Sequence, residues 1–308
     1  MRIYRTDQFP LPLPAGHRFP AEKYRLLAEQ VAQFAPERLD PAPAASRYEL
    51  LRAHDPAYVD AVLNGCLDAR QQREIGLPWS MQLAERSRRS VGATIAASRS
   101  ALQQGCGVNL AGGTHHAGRG RGSGFCVFND VAVAALLMLS EGQIRRALVI
   151  DLDVHQGDGT AAITATEDRI FTFSMHGARN FPFDRVSSDL DIDLPDGTGD
   201  AEYLAILADA LPRVFAAASP DLAYYLAGAD PYRGDRLGRL ALSQEGLARR
   251  DRLVMETCRR HGAALVVAMA GGYAVPITDT VTIQTETVRL ACRIFGAGEL
   301  DETVSPRR

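Results

Sequence analysis

Asp151, Asp153 and His155 are the polar residues of this sequence best placed for chemistry, because they alternate directly after an apolar run. That run, residues 147–150, predicts a short buried strand that ends at a loop. Residues two apart in a strand point the same way, so the three side chains can leave the strand end on one side. Buried carboxylates are costly unless they are paired, and a divalent metal is one such partner. The alternative is an Asp-rich loop that caps the next helix. The full pattern, D-x-D-x-H followed by G-D-G, favours the metal.

Polar residues also follow four other predicted strands, which span 108–111, 170–173, 221–226 and 264–269. These residues are His115 and His116, Ser174 to His176, Asp230, and Tyr273. Open α/β sheets bind ligands in the crevice beyond the carboxyl ends of their strands. We therefore expect all five polar groups to meet at one edge of the sheet.

Asp153, His155 and Asp230 are the candidate metal ligands. A catalytic metal needs three protein ligands and one open position for water. Two carboxylates and one imidazole suit Zn²⁺, with Fe²⁺, Co²⁺ or Mn²⁺ as alternatives. Such a metal would acidify water and polarise a carbonyl group.

His115 and His116 are candidates for general acid and base catalysis. Adjacent side chains diverge unless the loop geometry is unusual, so a solvated or structural histidine is the alternative. A catalytic imidazole needs a partner on its second nitrogen, and Asp151 and Asp158 are available for that purpose. A hydroxyl from Tyr273, which follows two glycines, could donate to a developing oxyanion.

The glycine-rich loop 118–124 lacks both the G-x-x-x-x-G-K-[ST] pattern and a G-x-G-x-x-G pattern that opens a helix, so we exclude a phosphate cradle. Its glycines, Gly124 among them, let the backbone and Phe125 wall a narrow channel. Arg119 and Arg121 are expected to be solvated.

Composition narrows the class of protein. The chain has 308 residues, 46% of them hydrophobic, a net charge of -3 and a pI near 6.2, so no basic field points to nucleic acid. No apolar run is long enough to span a membrane, and the first ten residues lack the apolar segment of a secretory signal. Five scattered cysteines argue against a disulfide framework and a thiolate zinc site. These features predict a reducing, cytoplasmic setting.

Strands that alternate with helices predict an α/β fold with a central, mostly parallel sheet flanked by helices. We expect one domain over residues 1–308, in which 1–106 belong to the same domain and 296–308 form a C-terminal tail. Residues 36–43 are expected to be a turn-rich connector, and 180–199 a long loop. Helices are predicted at 21–34, 56–63, 83–102, 131–139, 158–166, 203–218, 244–261 and 278–295.

The combination of G-T-H-H-A, G-F-C-V-F-N-D, D-L-D-V-H-Q-G-D-G, G-A-D-P and G-G-Y resembles the histone deacetylase superfamily, which has the arginase-like α/β fold. The resemblance spans residues 1 to about 295. The segment F-P-L-P-L-P-A-G-H-R-F-P-A-E-K-Y-R-L-L, and Gln156 in place of a second histidine, are most similar to class IV members and their bacterial relatives.

This resemblance implies a role for each candidate residue. Zinc would bind Asp153, His155 and Asp230. His116 would be the main general base and acid, oriented by Asp158, and His115 would be a second, electrostatic histidine paired with Asp151. Tyr273 would polarise the acyl carbonyl. Phe125 and Phe181 would flank a channel for an acyl-lysine side chain.

Three further implications concern the surroundings of the site. A structural potassium ion would lie near Asp151, Asp153, His155, Ser174 and Met175. Arg18 resembles an arginine at the foot of an internal channel for acetate release. The carboxylate at the rim that grips the substrate backbone in many members has no clear counterpart, and Glu74 and Asp68 are the candidates.

The resemblance implies a metal-dependent amidohydrolase that removes an acetyl or other acyl group from an acylated amine, foremost N-ε-acyl-lysine in a peptide or protein. Acetylpolyamines and acetylated small metabolites are alternative substrates, and no direct nucleic-acid or membrane partner is expected. A binuclear manganese ureohydrolase would need D-x-H-x-D, but Gly157 stands two positions after His155. A non-catalytic protein that binds acyl-lysine is the alternative of another class. The acidic loop 184–196 would be solvated or would favour cationic substrates.

Overall fold

The centre of the molecule is one sheet of eight parallel strands, in the order β2-β1-β3-β8-β7-β4-β5-β6. The computed structural model describes residues 1–296, so the predicted tail lies outside the described residues except for Gly296. The strands are β1 (Arg2–Arg5), β2 (Leu39–Pro41), β3 (Cys106–Asn109), β4 (Ala147–Asp151), β5 (Ile170–Gly177), β6 (Leu190–Leu194), β7 (Leu222–Leu226) and β8 (Ala264–Ala268). The predicted α/β class is confirmed, and the sheet is wholly parallel.

Ten α-helices accompany the sheet in the part of the chain that the structure describes. They are α1 (Lys23–Ala32), α2 (Arg47–Leu50), α3 (Pro56–Asn64), α4 (Ala69–Ile75), α5 (Met81–Gln104), α6 (Asp130–Ser140), α7 (Asp158–Thr164), α8 (Asp200–Ala218), α9 (Gln244–Arg260) and α10 (Ile277–Phe295). Because such helices cover both faces of the sheet, its central strands, such as β4 and β7, are buried on both faces.

Strand β4 shows how the sheet divides the core into two layers. Leu148 and Ile150 belong to one hydrophobic cluster, together with side chains of α1, α8, α9 and α10. Ala147 and Val149 belong to the other, together with side chains of α3, α5, α6 and α7. All four side chains are almost completely buried. The continuous apolar run that the sequence shows is therefore the consequence of alternation between two buried faces.

Helices α5 and α6 begin and end at residues suited to those positions. Ser80 accepts a hydrogen bond from the backbone N–H of Leu83 at the start of α5, and the helix ends at Gly105 in the left-handed conformation. Asn129 caps α6 in the same way through the N–H of Ala132. Helix α6 is apolar around its whole circumference and is nearly all buried, as its sequence predicts.

The chain reverses its direction across the sheet beside β4. Strands β5 and β6 follow on one side of β4, whereas β7 and β8 lie on the other side. Such a switch point opens a crevice at the carboxyl ends of the strands. The loops after β3, β4, β7 and β8, which come from neighbouring strands, therefore meet at this crevice.

Several local expectations were wrong. The region 180–199 contains β6, the connector 36–43 contains β2, and α2 and α4 were not anticipated. Strand β5 continues to Gly177, so Ser174 lies within the strand and not after it. Edge strands of three to five residues carry too little pattern to be recognised without their partners. Among the described residues no helix is long and apolar enough to cross a membrane.

Candidate active site

A cavity of about 560 Å³ lies beyond the carboxyl ends of the central strands. Its lining includes residues that the sequence singled out after four different strands, and it also includes the aromatic residues predicted to wall a channel. These are His115, His116, Gly124, Phe125, Asp153, His155, Phe181, Asp230 and Tyr273. The structure thus brings together residues that are up to 158 positions apart in the chain.

Asp153, His155 and Asp230 form the tightest group of potential metal ligands at the inner end of the cavity. One ligand atom from each residue lies within 4.8 Å of the other two. His155 Nδ1 is 2.9 Å from Asp153 Oδ1 and 3.3 Å from Asp230 Oδ2. The first two residues follow β4 and the third follows β7, so the switch point of the sheet produces this group.

These three residues fit a divalent cation. Asp230 Oδ2 is buried without a well-formed hydrogen bond from any described residue. Burial, followed by the nearby charge of Asp153, raises the pKa of Asp230 to about 7. The oxygen without a hydrogen bond and the raised pKa both reflect the burial of two carboxylates close together. A bound cation would compensate their negative charge. Gly271 completes the pocket, because a Cβ at this position would collide with both carboxylates.

The two adjacent histidines both face the cavity, contrary to the expectation that they diverge. Their ring centroids are 4.1 Å apart. His115 Nδ1 is 2.7 Å from Asp151 Oδ2, and His116 Nδ1 is 2.7 Å from Asp158 Oδ1. Each ring therefore has a carboxylate on Nδ1, which leaves its Nε2 atom available to a reactant.

The two histidine–aspartate pairs differ in their electrostatics. Burial lowers the pKa of His115, but Asp151 and then Asp153 more than offset this effect and raise it to about 9. Burial, and then the charge of His115, lowers the pKa of His116 to about 4. Of these two rings, His115 therefore favours the charged form and His116 the neutral form, and a neutral ring is the form that can accept a proton.

The backbone of Tyr273 is held by the carboxylate of Asp235, a residue that the sequence analysis did not identify. The Tyr273 backbone N–H donates to Asp235 Oδ2 at 2.5 Å, and Asp235 Oδ1 accepts from the N–H groups of Leu237 and Gly238. Burial raises the pKa of Tyr273 well above its ordinary value, so the phenol remains a hydrogen-bond donor. Only the fold brings Asp235 to Tyr273, 38 residues away.

Phe125 and Phe181 form part of the wall between the inner end and the solvent. Phe125 has a φ of 67°, a left-handed conformation that is rare for a bulky residue, and the preceding Gly124 has a φ of 54°. A Cβ on Gly124 would lie 2.6 Å from the His116 ring. The Phe181 ring meets His116 edge to face at a centroid distance of 4.9 Å. The two positive φ angles thus bring the loop against the catalytic candidate.

The loop that carries His115 and His116 is anchored at the start of α6. Asp130 accepts hydrogen bonds from the N–H groups of Gly113 and Thr114 at 3.1 and 2.8 Å. The Asn129 side chain donates to the carbonyl of Ala117 at 3.1 Å. The motif F-N-D therefore has a structural role that its sequence did not reveal.

His54 supports the same region from behind. Its Nε2 accepts from the backbone N–H of Asn129 at 2.9 Å, so its Nδ1 must carry the proton and donate to the carbonyl of Gly118, also at 2.9 Å. Burial lowers the pKa of His54 to about 4, which keeps the ring neutral. Nothing in the sequence near His54 indicates this role.

A buried arginine lies beneath the candidate metal ligands. Arg250 Nη1 donates to the carbonyls of Leu152 and Gly228 at 3.2 and 2.7 Å, which connects the ends of β4 and β7. Its charge is balanced by Asp251, whose Oδ1 lies 2.8 Å from Arg250 Nη2. Both side chains are almost fully buried. Arg250 therefore ties together the two backbones that present Asp153 and Asp230.

The residues predicted around a potassium ion are close in the sheet. Asp151 and Ser174 are register partners on β4 and β5, and Met175 is fully buried beside them. Gln156 does not face the cavity. Its amide donates to Asp191 Oδ1 at 3.0 Å and to the carbonyl of Val186 at 2.8 Å, so it anchors the loop before β6.

The predictions for the rim and the internal channel need revision. Arg18 is exposed, with its guanidinium 5.9 Å from the centre of the Phe125 ring, which does not fit the foot of an internal channel. The buried cation of the cavity wall is Lys23, which donates to the carbonyl of Gly272 at 3.2 Å. Asp68 caps α4 and does not line the cavity. Glu74 does line it.

Comparison with known proteins agrees with this architecture. The family model of the histone deacetylase domain matches residues 17–288. An uncharacterized protein of Picosynechococcus sp. is 45% identical over 91% of this chain and 94% of its own length. Histone deacetylase 2 of Arabidopsis thaliana is 32% identical over 74% of this chain, and the match covers 62% of that relative. The crystal structure of a histone deacetylase homologue from Aquifex aeolicus has a TM-score of 0.82 at 24% identity, covering 96% of this chain and 84% of the other.

The wholly parallel sheet and its crevice of aspartates and histidines define an α/β protein of the arginase–deacetylase fold. The chain belongs to the histone deacetylase family. This membership supports a hydrolase with deacetylase activity. Family membership by itself does not name the metal, the acyl group or the amine.

Proposed function

We propose that the protein is a metal-dependent deacylase that hydrolyses an acylated amine, foremost N-ε-acetyl-lysine. The observation that carries this proposal is the position of two histidine–aspartate pairs beside the group of Asp153, His155 and Asp230 in one cavity. Hydrolysis of an unactivated amide needs an electrophile, a base and an acid together. The cavity contains residues for all three tasks.

Asp153, His155 and Asp230 would hold the metal, with zinc as the first choice and Fe²⁺ or Co²⁺ as alternatives. When bound, the metal would supply a Lewis acid that polarises the acyl carbonyl and acidifies water. Asp151, Ser174 and Met175 would additionally contribute to a structural potassium site next to β4 and β5.

His116 acts as the general base. It accepts a proton from the attacking water through Nε2, since Asp158 occupies its Nδ1. The water oxygen bonds to the acyl carbon, and the carbonyl electron pair moves onto the carbonyl oxygen. Asp158 then stabilises the imidazolium that forms.

Tyr273 donates its phenolic hydrogen to the oxygen that becomes negative. Collapse of the tetrahedral species breaks the C–N bond, and the proton held by His116 goes to the departing amine, because an unprotonated alkyl amine is a poor leaving group. His115, with its charge favoured by Asp151, stabilises the negative charge nearby. The carbonyl bond re-forms as the C–N bond breaks, and the products are a carboxylic acid and a free amine, which ionise to a carboxylate and an ammonium ion.

A slim, extended side chain fits the approach between Phe125 and Phe181, which supports acyl-lysine as the substrate. The Phe125 ring is 6.0 Å from Tyr273 and the Phe181 ring is 4.9 Å from His116, so both walls adjoin the proposed catalytic residues. A methylene chain gains apolar contact there, while the amide reaches the inner end.

The decisive experiment measures product release by zinc-loaded protein from acetyl-lysine peptide, long-chain acyl-lysine peptide and acetylpolyamine. Each reaction is repeated after metal removal by a chelator and again after zinc is restored. We expect release from at least one acyl-lysine peptide that is lost with the metal and recovered with it. The matched control is Asp230→Asn protein, which should bind zinc weakly and remain inactive after zinc is restored.

Release that persists in metal-free protein would contradict the metal-dependent mechanism. Absence of release from every substrate, in protein with zinc bound in a one-to-one ratio, would contradict the deacylase and favour a protein that binds acyl-lysine without cleaving it. A calorimetric titration with the uncleaved peptide would then measure that binding.

A further inference from the structure

The charged residues at the mouth of the cavity are predominantly basic. The exposed charged side chains of the lining comprise four arginines and one glutamate, namely Arg18, Arg73, Arg179, Arg239 and Glu74. We call these four arginines the basic mouth. The buried carboxylates of the inner end lie deeper, among residues with almost no exposure. An approaching substrate therefore meets positive charge first.

Arg179 and Arg239 share a single carboxylate. Asp196 Oδ2 is 2.5 Å from Arg179 Nη2 and 3.3 Å from Arg239 Nη1. The side chains of the two arginines remain 72% and 55% exposed. One carboxylate cannot neutralise two guanidinium groups, so this part of the mouth keeps a positive charge.

The other half of the mouth is also poorly neutralised. No carboxylate of residues 1–296 lies within 4.0 Å of a guanidinium nitrogen of Arg18 or Arg73. Glu74, the one acidic residue of the exposed lining, is 2.8 Å from Arg70 and is compensated by it. Arg73 lies on α4 and Arg179 follows β5, so basic side chains come from two separate segments that line one cavity.

Apart from Asp196, the paired carboxylates of the acidic loop 184–196 do not offset this charge. Asp189 accepts from the N–H of Thr172 at 2.7 Å, Asp191 accepts from Gln156, and Asp193 pairs with Arg185. Those carboxylates hold the loop to the sheet, and none of the three lines the cavity. The positions of these side chains therefore do not support the alternative, stated from the sequence, that this loop favours cationic substrates.

We propose that the basic mouth selects acylated amines that carry carboxylates close to the scissile amide, and that it disfavours polyamines. The inference rests on the proposed deacylase function and adds the charge of its substrate. A guanidinium group binds carboxylates with a matched pair of donors. A polyamine would bring several ammonium groups next to uncompensated arginines, which is repulsive. The carboxylates can belong to acidic residues that flank an acyl-lysine or to a small acetylated metabolite.

The first test compares three acetyl-lysine peptides of equal length with glutamate, alanine or lysine on both sides of the acetyl-lysine. Each exposed ion pair is weak, but several together predict a kcat/KM about tenfold higher for the glutamate peptide than for the lysine peptide. The difference should lie in KM and should shrink between about 20 mM and about 0.5 M salt. Free N-ε-acetyl-lysine and its carboxamide form a second arm, which detects selection of a small carboxylate.

Charge reversal locates the effect. Arg73→Glu and Arg179→Glu should each reduce or invert the preference for the glutamate peptide, measured as the ratio of kcat/KM for the glutamate and lysine peptides. The matched control is Arg213→Glu on α8, because Arg213 is 63% exposed and pairs with Asp209 at 2.7 Å but lies outside the cavity. That variant should keep the wild-type preference.

The possible failures are distinguishable. Equal kcat/KM for the three peptides, or a preference unchanged by both charge reversals, would overturn the basic-mouth inference and leave the deacylase intact. Preferred cleavage of acetylpolyamine would overturn it as well. Absence of turnover with all peptides, including the neutral one, would be a failure of the proposed function itself.

Discussion

The inner end and the mouth of the cavity differ in how their charged side chains are compensated. At the inner end, ionisable side chains face buried partners, such as Asp158 for His116 and Asp251 for Arg250. At the mouth, Arg18 and Arg73 have no acidic partner among residues 1–296. Buried pairs have fixed geometry and lose little strength to solvent, whereas exposed charges are screened and adaptable.

This difference between the two ends indicates that the chemical step depends on the inner end and substrate selectivity on the mouth. The fixed inner end positions donors and acceptors within hydrogen-bond distance, which a proton transfer requires. The mouth can only attract or repel, and its effects on binding are small and sensitive to salt. Changes at the inner end should therefore be large and specific to kcat or stability, while those at the mouth should be modest and specific to KM.

Loss of the general base is the largest effect that we predict. His116→Ala should lower kcat by ~10²-fold or more with little change in KM, since the ring transfers a proton and does not hold the substrate. Tyr273→Phe should lower kcat by ~10²-fold, because the oxyanion loses a donor. Steady-state kinetics with an acetyl-lysine peptide measures both.

Matched controls for these two variants lie outside the cavity. His261 is exposed, and the Tyr232 hydroxyl bonds to Asp279 at 3.2 Å, so His261→Ala and Tyr232→Phe remove the same groups elsewhere. Near-normal kcat in the His116 variant would remove that residue from the role of base.

Arg250→Leu should produce the largest loss of stability. The substitution leaves the buried Asp251 carboxylate without its cation, which typically costs about 3–5 kcal/mol in the free energy of unfolding. Thr287→Val is the control, since Thr287 Oγ1 donates to Asp251 Oδ2 at 2.5 Å and its loss should cost about 1 kcal/mol. Urea denaturation gives both values, and equal losses in the two variants would argue that the Arg250 charge is not special.

His54 predicts a pH dependence of stability. Its pKa is about 4 when buried, against an ordinary value of 6.5, so between these values the unfolded chain binds the extra proton. Its contribution is therefore complete above pH 6.5 and falls by about 1.4 kcal/mol per pH unit as the pH drops toward 4. His54→Gln should consequently destabilise the protein more at pH 7 than at pH 5, by about 2 kcal/mol.

Denaturant unfolding of wild type and variant at the two pH values tests this prediction. The exposed His261→Gln variant serves as the control and should show no such difference. A penalty for His54→Gln that is the same at both pH values would mean that His54 does not titrate between the folded and unfolded states as its burial implies.

The smallest predicted effect is a gain at the mouth. Asp196→Asn removes the one carboxylate shared by Arg179 and Arg239 and should raise kcat/KM for the glutamate-flanked peptide about two- to fivefold at low salt. Asp209→Asn, which frees Arg213 on α8 away from the cavity, is the control. An unchanged or reduced value in the Asp196 variant would separate the mouth from substrate selection.

Much of the fold and the members of the candidate site could be predicted from the sequence. The β4 run and its neighbours show strand patterns, and their polar residues follow the strand ends, because secondary structure leaves a local signal in apolar spacing. The parallel α/β class followed from the alternation of strands and helices. Asp153, His155 and Asp230 are grouped in the sequence by their ligand types and by their positions after strands, and ligand atoms of the three lie within 4.8 Å of one another.

The remainder depended on contacts between distant segments. His54 supports Asn129 from 75 positions away, and Arg250 reaches the carbonyl of Leu152 across 98 positions. Arg18 and Lys23 are basic residues five positions apart, yet only packing decides that the first is exposed and the second buried. A sequence pattern shows which local residues are buried. The hydrogen-bond partner of a side chain, its depth and the net charge of a surface depend on residues from the whole chain.

Local sequence patterns were therefore sufficient for the central strands, the residue types at their ends and the family to which the chain belongs. The convergence of His115 and His116 on one cavity, and the hydrogen bonds that turn Asp189 and Asp191 away from it, became apparent only in three dimensions. The physical reason is that direction and pairing of side chains follow from three-dimensional packing, which no short stretch of sequence encodes alone.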